Sequence, residues 1–585
     1  MASSATGQTK RRSLTGCRTC RRRHVKCDEN KPTCQVCSRL SLDCVYTPRL
    51  TREERRRRRI QEVRNQPPRQ LARASDPMPD NSESDMPGQS ILAAADNWPA
   101  SDPVFDLCLF DLPIGGDFTL APDLSVSNSG FFDTMPAPGN TFLSVSPTVD
   151  MQLNSNGLLA DLPALVPLTN IEREALDYYR NEPYFGFGNK SPNWSTHAIL
   201  WETARTNSAV LHLLLAASQA EIGWRSRSQT EMLRTADKNY QIGRQQLEMD
   251  IASGEVDPLV MMVSFWFLHW HIHRRYPSAH RRTLSLELSR QMAEYVRGYR
   301  LHHKLVTVGS EDLGWSAAKK ALVGRLLIWL LWLDTRARTL GEGGSMARFL
   351  TQSESQSSMA ALYEMSKETL SLNWVDYPEE QLRDDINNSQ PLDIVHKTWM
   401  LAQKVNNAEE ERLPLKPEVS KDILLDIDRF GQTGAVLSLI RLTESTPVVR
   451  DRMRQNADWA IANYYAVRIY HFRCSLTAED EPFSSPSTME ISKTVESLMM
   501  LLQESLANEA MGQSDRLYWP LFWAGIETTE RFKQRFILLG LKDPGLNHAM
   551  CSIFQMQEAG ARLGMTRIRQ ILQTSCAVLD IGMGI

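Results

Sequence analysis

The sequence predicts three parts that differ in kind: a small cysteine head folded on metal, a disordered acidic middle, and a large all-α domain. Three observations carry this reading. Six of the ten cysteines fall between Cys17 and Cys44. The stretch 70–168 holds 13 Asp and Glu against one basic residue, Arg73, together with many Pro and Ser. Thirteen of the 14 Trp lie beyond residue 168, where apolar residues recur at helical spacing and convincing period-2 strands are absent. At 585 residues one hydrophobic core is not expected, and two to four structural units are.

Charge follows the same division. Residues 10–69 carry 19 basic and 6 acidic side chains, a net of +13 against a whole-chain net of −3. The rest of the chain is therefore acidic by about 16 charges, and a basic head on an acidic body points to a polyanion as the head's partner. Residues 1–16 are polar and lack the apolar core of a signal peptide. Apolar runs such as Leu326–Leu333 are far shorter than the roughly 20 residues of a membrane span. The expectation is a soluble intracellular protein with no membrane partner, in a reducing compartment where clustered cysteines bind metal rather than pair.

In the head, residues 10–49, the order is Cys17-x2-Cys20-x6-Cys27-x6-Cys34-x2-Cys37-x6-Cys44, so the unit C-x2-C-x6-C occurs twice. Structural zinc takes four tetrahedral ligands. Six thiolates serve two metals only if two sulfurs bridge. By the internal symmetry the bridges are the first of each triplet, Cys17 and Cys34. One Zn²⁺ is then held by Cys17, Cys20, Cys27 and Cys34, and the other by Cys34, Cys37, Cys44 and Cys17. Six thiolates and two Zn²⁺ leave a charge of −2, which Arg18, Arg21, Arg22, Arg23 and Lys26 offset. A single zinc knuckle with two spare thiols, an iron–sulfur site and a disulfide framework are the competing uses of these cysteines; the regular repeat argues against them.

The basic segment 50–69 opens on a capping-box spacing, Thr51 to Glu54, and ends at Pro67-Pro68. Its run Arg55, Arg56, Arg57, Arg58 and Arg59 suits nuclear import or sequence-independent phosphate contact. Ile60 and Val63 amount to less than one heptad, so no zipper is predicted there. Monomer and homodimer through the large domain both stay open.

The linker 70–168 is expected to be disordered. Within it Trp98, Phe105, Leu107, Leu109, Phe110 and Leu112 alternate with Asp96, Asp102, Asp106 and Asp111. Carboxylates keep such bulky groups solvated until a partner groove takes them, the composition of an acidic activation segment. Phe105, Leu109 and Phe110 are its anchors; an inert linker is the competing reading.

Residues 169–585 read as helical throughout. Thr169 and Glu172 form a second capping box, Asn207 caps a helix that stops at Gly223, and Asp257-Pro258 opens another. Val495, Leu498, Met499, Leu502 and Leu506 share one helical face. Ser/Gly-rich stretches at 341–358 and 475–488 read as loops. His269 and His273 are one turn apart, but their aromatic surroundings favour core histidines over ligands. No G-x-x-x-x-G-K-[ST], G-x-S-x-G or H-E-x-x-H pattern is present, so an enzyme is not expected.

Two segments resemble known families. Besides the six cysteines, the head shows Cys20-Arg-Arg-Arg-His-Val-Lys-Cys27-Asp-Glu, Lys31-Pro32 and Cys44-Val-Tyr46. In these it resembles the fungal binuclear zinc-cluster (Zn2Cys6) DNA-binding family. The resemblance implies two short helices around two zincs, docked in the major groove of double-stranded DNA over a GC-rich triplet such as CGG. It also implies base and phosphate contacts from Arg21, Arg22, Arg23 and Lys26. His24 stands where a base-reading Lys often sits; an imidazole can donate to guanine, and Arg23 can share the reading. Trp519-Pro-Leu-Phe-Trp-Ala-Gly-Ile-Glu-Thr-Thr-Glu530 and Arg325-Leu-Leu-Ile-Trp-Leu-Leu-Trp-Leu-Asp334 resemble fungal-specific transcription factor regulatory domains. That resemblance implies regulation, dimerisation or sensing of a small-molecule effector.

The resulting expectation is a nuclear, zinc-dependent regulator of RNA polymerase II transcription, more an activator than a repressor, with transcription machinery or coactivators as partners. The alternative is a non-catalytic zinc interaction protein that binds protein, or nucleic acid without sequence preference.

Overall fold

The computed structural model describes residues 17, 19–20, 25, 27–28, 30–40 and 42–44 of the head, and much of 168–582. Within the latter it leaves out 182–188, 227–229, 254–255, 277, 308–313, 353–355, 412, 446–450, 477–480, 483–487, 508–513 and 559–560. The expectations for 50–167 fall outside the described residues. Head and helical domain belong to separate compact units, Met1–Asn97 and Trp98–Ile585.

The described part of the larger unit is built almost entirely from helices around two cores. The first core runs from Ala175 to Tyr377. Its main helices are α1 (Asn170–Asn181), α2 (Ser208–Ser226), α3 (Thr230–Ser253), α4 (Pro258–Arg275), α5 (Ser278–Gly298) and α6 (Ala317–Thr339). The second core runs from Ile394 to Leu572. It is framed by α7 (Ser389–Glu411), α8 (Arg452–Ser475), α9 (Thr488–Ala507), α10 (Ser514–Ile526), α11 (Pro544–Glu558) and α12 (Met565–Gly582). Trp332 of α6 and Met400 of α7 pack against both cores and so form their seam. Trp519 of α10 ties the seam by donating its indole N–H to Thr339 Oγ1 at 2.8 Å.

Local signals set where the helices begin. Thr169 N–H donates to Glu172 Oε2 at 2.9 Å and Glu172 N–H donates back to Thr169 Oγ1 at 3.3 Å, a reciprocal box ahead of α1. Asn207 Oδ1 accepts from Val210 N–H at 3.0 Å, and Asp257 Oδ1 from Leu259 N–H at 2.8 Å ahead of α4. In α9, Val495, Leu498, Met499 and Leu502 are buried and Leu506 packs at the margin, as their spacing requires.

Two local expectations are corrected. Gly223 does not end its helix, because α2 continues to Ser226. A Cβ at Gly223 would lie 2.5 Å from Leu233 Cδ2, so this glycine serves the approach of α3, which sequence cannot tell from a C-cap. The stretch 341–358 is a loop only in part, since Ser345–Leu350 is helical and a further helix starts at Gln356. Gly341, Gly343 and Gly344 turn the chain at φ of 86, 117 and 103°. Buried Asp334 then accepts from the N–H groups of Gly344 and Ala347 at 2.9 and 2.8 Å and so starts that helix from ten residues upstream. Glu481–Pro482 and Ala561–Arg562 form a short antiparallel pair. Two residues per strand are too few for an alternating pattern.

The Trp519–Glu530 segment is where the second core closes. Trp523 is fully buried, and a Cβ on Gly525 would lie 2.7 Å from Met550 Sδ, so glycine admits α11 against α10. Just past α10, Glu527 is buried with two buried arginines, Arg473 and Arg562. Arg473 Nε pairs with its Oε1, and Arg562 Nη2 lies 3.1 Å from its Oε2. Arg473 also donates to the carbonyls of Ile526 and Leu563, at 2.7 and 2.5 Å. One carboxylate therefore holds α8, the end of α10 and the chain leading into α12. Replacing it strands two buried cations. Glu527→Gln is expected to cost about 3–5 kcal/mol, read from urea unfolding of the full chain by helical circular dichroism. An unchanged midpoint would refute this role.

Candidate metal centre

In the head the six cysteines converge. Cys17, Cys20, Cys27, Cys34 and Cys37 are buried together, with Cys44 packed at the margin. Their sulfurs form two groups of four, Cys17–Cys20–Cys27–Cys34 and Cys17–Cys34–Cys37–Cys44, each with all its sulfurs within 4.8 Å of one another. Cys17 and Cys34 belong to both. Among the described residues these are the groups of three or more ligating side chains able to hold a metal ion.

The internal repeat of the sequence reappears as a repeat of hydrogen bonds. Cys20 N–H donates to Cys17 Sγ at 3.4 Å, and Cys37 N–H to Cys34 Sγ at 3.4 Å. Cys17 N–H donates to Cys27 Sγ at 3.4 Å, and Cys34 N–H to Cys44 Sγ at 3.2 Å. In the second repeat the local cause is clear. Cys34 is the N-cap of the helix Gln35–Arg39, so its sulfur sits at the positive end of a short helix. Asp28 supports the same end by accepting from Gln35 N–H at 3.0 Å, and Asn30 Nδ2 donates to Asp28 at 2.7 Å. Thr19 Oγ1 donates to the carbonyl of Asp43, joining the two repeats. Asp28 and Thr19 were not singled out by sequence. Their only signal there is position, Asp28 directly after a cysteine and six residues before the next.

These hydrogen bonds sort the thiols. Burial alone would raise Cys17, but the Cys20 N–H and the thiols of Cys37, Cys20 and Cys44 bring it below its ordinary value. Burial would raise Cys34 too, and the Cys37 N–H with the thiols of Cys37 and Cys20 brings it down. Cys20 is pushed up to about 12 by burial and by its neighbours Cys34 and Cys17, and burial drives Cys37 up as well. The two thiols brought down are thus those of the two sulfurs common to both groups.

The arrangement fits zinc on its donor chemistry. A Zn–S bond of about 2.3 Å in a tetrahedron makes each S···S edge about 3.8 Å. Cys17 and Cys34 sulfurs lie 3.8 Å apart, Cys17 and Cys37 3.6 Å, and Cys20 and Cys34 3.6 Å. Arg21, Arg22, Arg23, His24 and Lys26 lie outside the described residues, as do Arg55–Arg59, Phe105, Leu109 and Phe110.

The histidines of α4 form no comparable centre. His271 stacks on Tyr240 with ring centroids 4.5 Å apart and has its Nδ1 3.2 Å from the Ala216 carbonyl. His269 and His273 lie ring to ring at 4.1 Å. Burial holds His269 down to about 3 and His271 to about 4, so both are neutral core side chains at physiological pH.

Comparison with known proteins bears on both units. Residues 15–53 match the model of the fungal Zn(2)-Cys(6) binuclear cluster domain, and residues 387–574 that of the fungal specific transcription factor domain. The second match begins and ends close to the limits of the second core, Ile394 to Leu572. Sterol uptake control protein 2 of Saccharomyces cerevisiae is 46% identical over 50 residues, 8% of this chain and 6% of that protein. Transcriptional regulatory protein moc3 of Schizosaccharomyces pombe is 58% identical over 40 residues, 7% of this chain and 8% of its own. The fungal-type transcription factor afumD of Aspergillus fumigatus is 56% identical over 36 residues, 6% of this chain and 10% of its own. The chain thus matches about a tenth or less of each of these relatives. No solved structure matches significantly.

Elemental analysis of the full chain is expected to find two zinc ions per protein; one zinc, or iron, would refute the shared-sulfur arrangement. Cys17→Ser should release both ions, whereas Cys20→Ser should leave the Cys34–Cys37–Cys44 side better occupied. Equal losses from the two variants would remove Cys17 from its bridging role.

Proposed function

The chain belongs to the fungal Zn(2)-Cys(6) binuclear cluster transcription factors, and on that premise we propose that it is a zinc-dependent, sequence-specific regulator of RNA polymerase II transcription that reads GC-rich, CGG-like triplets. The observation that carries this is the pair of four-sulfur groups sharing Cys17 and Cys34. Bound zinc supplies cross-links to a segment too short to build a core of its own. The chain's own residues do the rest. Cys17, Cys20, Cys27, Cys34, Cys37 and Cys44 hold the metals and fix the backbone between them. Arg21, Arg22, Arg23, His24 and Lys26, between the second and third cysteines, then face the groove from a rigid base. Arginine forks and an imidazole suit the O6 and N7 acceptors of guanine. Arg55–Arg59 add phosphate contacts without sequence preference and serve nuclear import.

The helical domain regulates the head, and the acidic stretch contacts coactivators. Phe105, Leu109 and Phe110, spaced for one helical face, dock in an apolar groove of the transcription machinery.

Selection from random DNA by the full protein is expected to return a CGG-like consensus; a flat profile would favour the non-specific interaction protein instead. Arg23→Ala or His24→Ala should cost about 1–3 kcal/mol on the selected site and relax the triplet preference. Changing Arg55–Arg59 to Gln should weaken binding to all sequences alike and flatten its salt dependence. Equal loss on specific and random DNA for Arg23→Ala would remove that residue from the reading role. Residues 90–135 fused to an unrelated DNA-binding domain should activate a reporter in a fungal host, and Ala at Phe105, Leu109 and Phe110 should abolish the signal. A silent fusion would leave the stretch as a linker.

A further inference from the structure

The seam between the two cores holds a half-open cavity of about 180 Å³, and its lining is unusual for a helical interior. One wall is a single stripe of α6. From Ala321 to Ala337 this helix is buried except at Arg325, Trp329, Trp332 and Arg336, offsets of 0, 4, 7 and 11 that fall on one face. These four side chains all line the cavity. The opposite side is aromatic as well, with Trp266 from α4, Trp399 from α7 and Trp519 from α10. The indole N–H groups of Trp266 and Trp399 are buried and have no hydrogen-bond partner. Buried donors left unmade are costly, about 1–3 kcal/mol each, which marks a place where acceptors are missing.

The charges of the lining do not balance. Its two carboxylates are already engaged. Asp385 pairs with Lys190 and accepts from the Tyr377 hydroxyl; Asp393 pairs with Lys367 at 2.7 Å and accepts from Tyr363 at 2.8 Å. Arg325 is outside these pairs and its described partners are neutral: it donates to Thr196 Oγ1 at 3.1 Å and lies 5.7 Å from the Trp329 ring centroid, as the lining Arg516 donates to Asn456 Oδ1 at 3.1 Å. Burial holds its pKa below the ordinary arginine value despite Asp385. Arg336 closes the other end of the stripe, about 16 Å away along the helix, beyond the reach of one small molecule bound at Arg325.

We propose that this cavity binds a small aromatic carboxylate, its acid group on Arg325 and its ring against Trp329 and Trp332. The acid supplies a negative charge that no described hydrogen-bond partner of Arg325 carries, and a flat ring lies well against indoles. The room suits one or two fused rings, since a dry cavity of about 150 Å³ already admits a benzene. Nothing in this depends on the head binding DNA, so the test leaves DNA out and its result is separate from that of the transcriptional reading.

The zinc-loaded full chain is titrated by calorimetry with 2-naphthoate and with its neutral counterpart 2-naphthamide. The carboxylate is expected to bind at least about tenfold tighter, and Arg325→Gln to erase that preference while the thermal melting temperature holds. Trp329→Leu should weaken both compounds together. Equal affinity for acid and amide would overturn the role of charge, and no heat from either up to about 1 mM would overturn the site. Should Arg325→Gln fail to fold, the acid–amide comparison on the unmodified protein decides alone, with Arg325→Lys as the folded control.

Discussion

The functional end of this protein depends on six sulfur atoms being brought within bonding reach of shared metals. Among the described residues of the head the buried side chains are the cysteines themselves, with Val36 and Leu42 packed beside them. The repeated N–H···S hydrogen bonds, at the same sequence separations in both halves, show the backbone already wrapped around the sulfurs. Those from the Cys20 and Cys37 N–H groups also lower the pKa of Cys17 and Cys34, the two sulfurs common to both groups. Geometry and electrostatics thus single out the same pair.

The helical domain meets the opposite problem. It has ample apolar surface but buries charge as well, and it places that charge where helices must be held in register. Glu527 between Arg473 and Arg562 closes the second core; Asp334 starts a helix in the first. Arg274, paired with Glu221 of α2 and with Asp515 of α10, links one core to the other. Groups like these add less to net stability than apolar residues of the same size would, but removing one partner is severe. They therefore fix which helix meets which. Against that pattern Arg325 stands apart, since its described hydrogen bond is to a neutral hydroxyl.

Much of the candidate metal centre was legible in the chain. The spacing of six cysteines, the need of zinc for four ligands and the internal symmetry lead to Cys17 and Cys34 as the shared pair, and the structure brings those two into both sulfur groups. Caps were legible for a related reason: Thr169, Asn207 and Asp257 act on N–H groups two or three residues away, so sequence contains both partners. The supporting roles of Asp28 and Thr19 were not, because their partners lie 7 and 24 residues off.

What the sequence determined by itself is whatever rests on short separations: the ligand set, the helix starts, the apolar face of α9, and the contrast between a basic head and an acidic body. Tertiary structure decided whatever depends on which surfaces meet. Gly223 looked like a helix stop and became a point of close packing, because only the position of Leu233 tells the two apart. The stripe Arg325–Trp329–Trp332–Arg336 is visible as a periodicity, yet it reads as one more core face until a second core closes over it and leaves a cavity. Periodicity says that a face is covered. It does not say by what, since the covering residues, Trp399 and Trp519 among them, lie tens to nearly two hundred residues further along the chain.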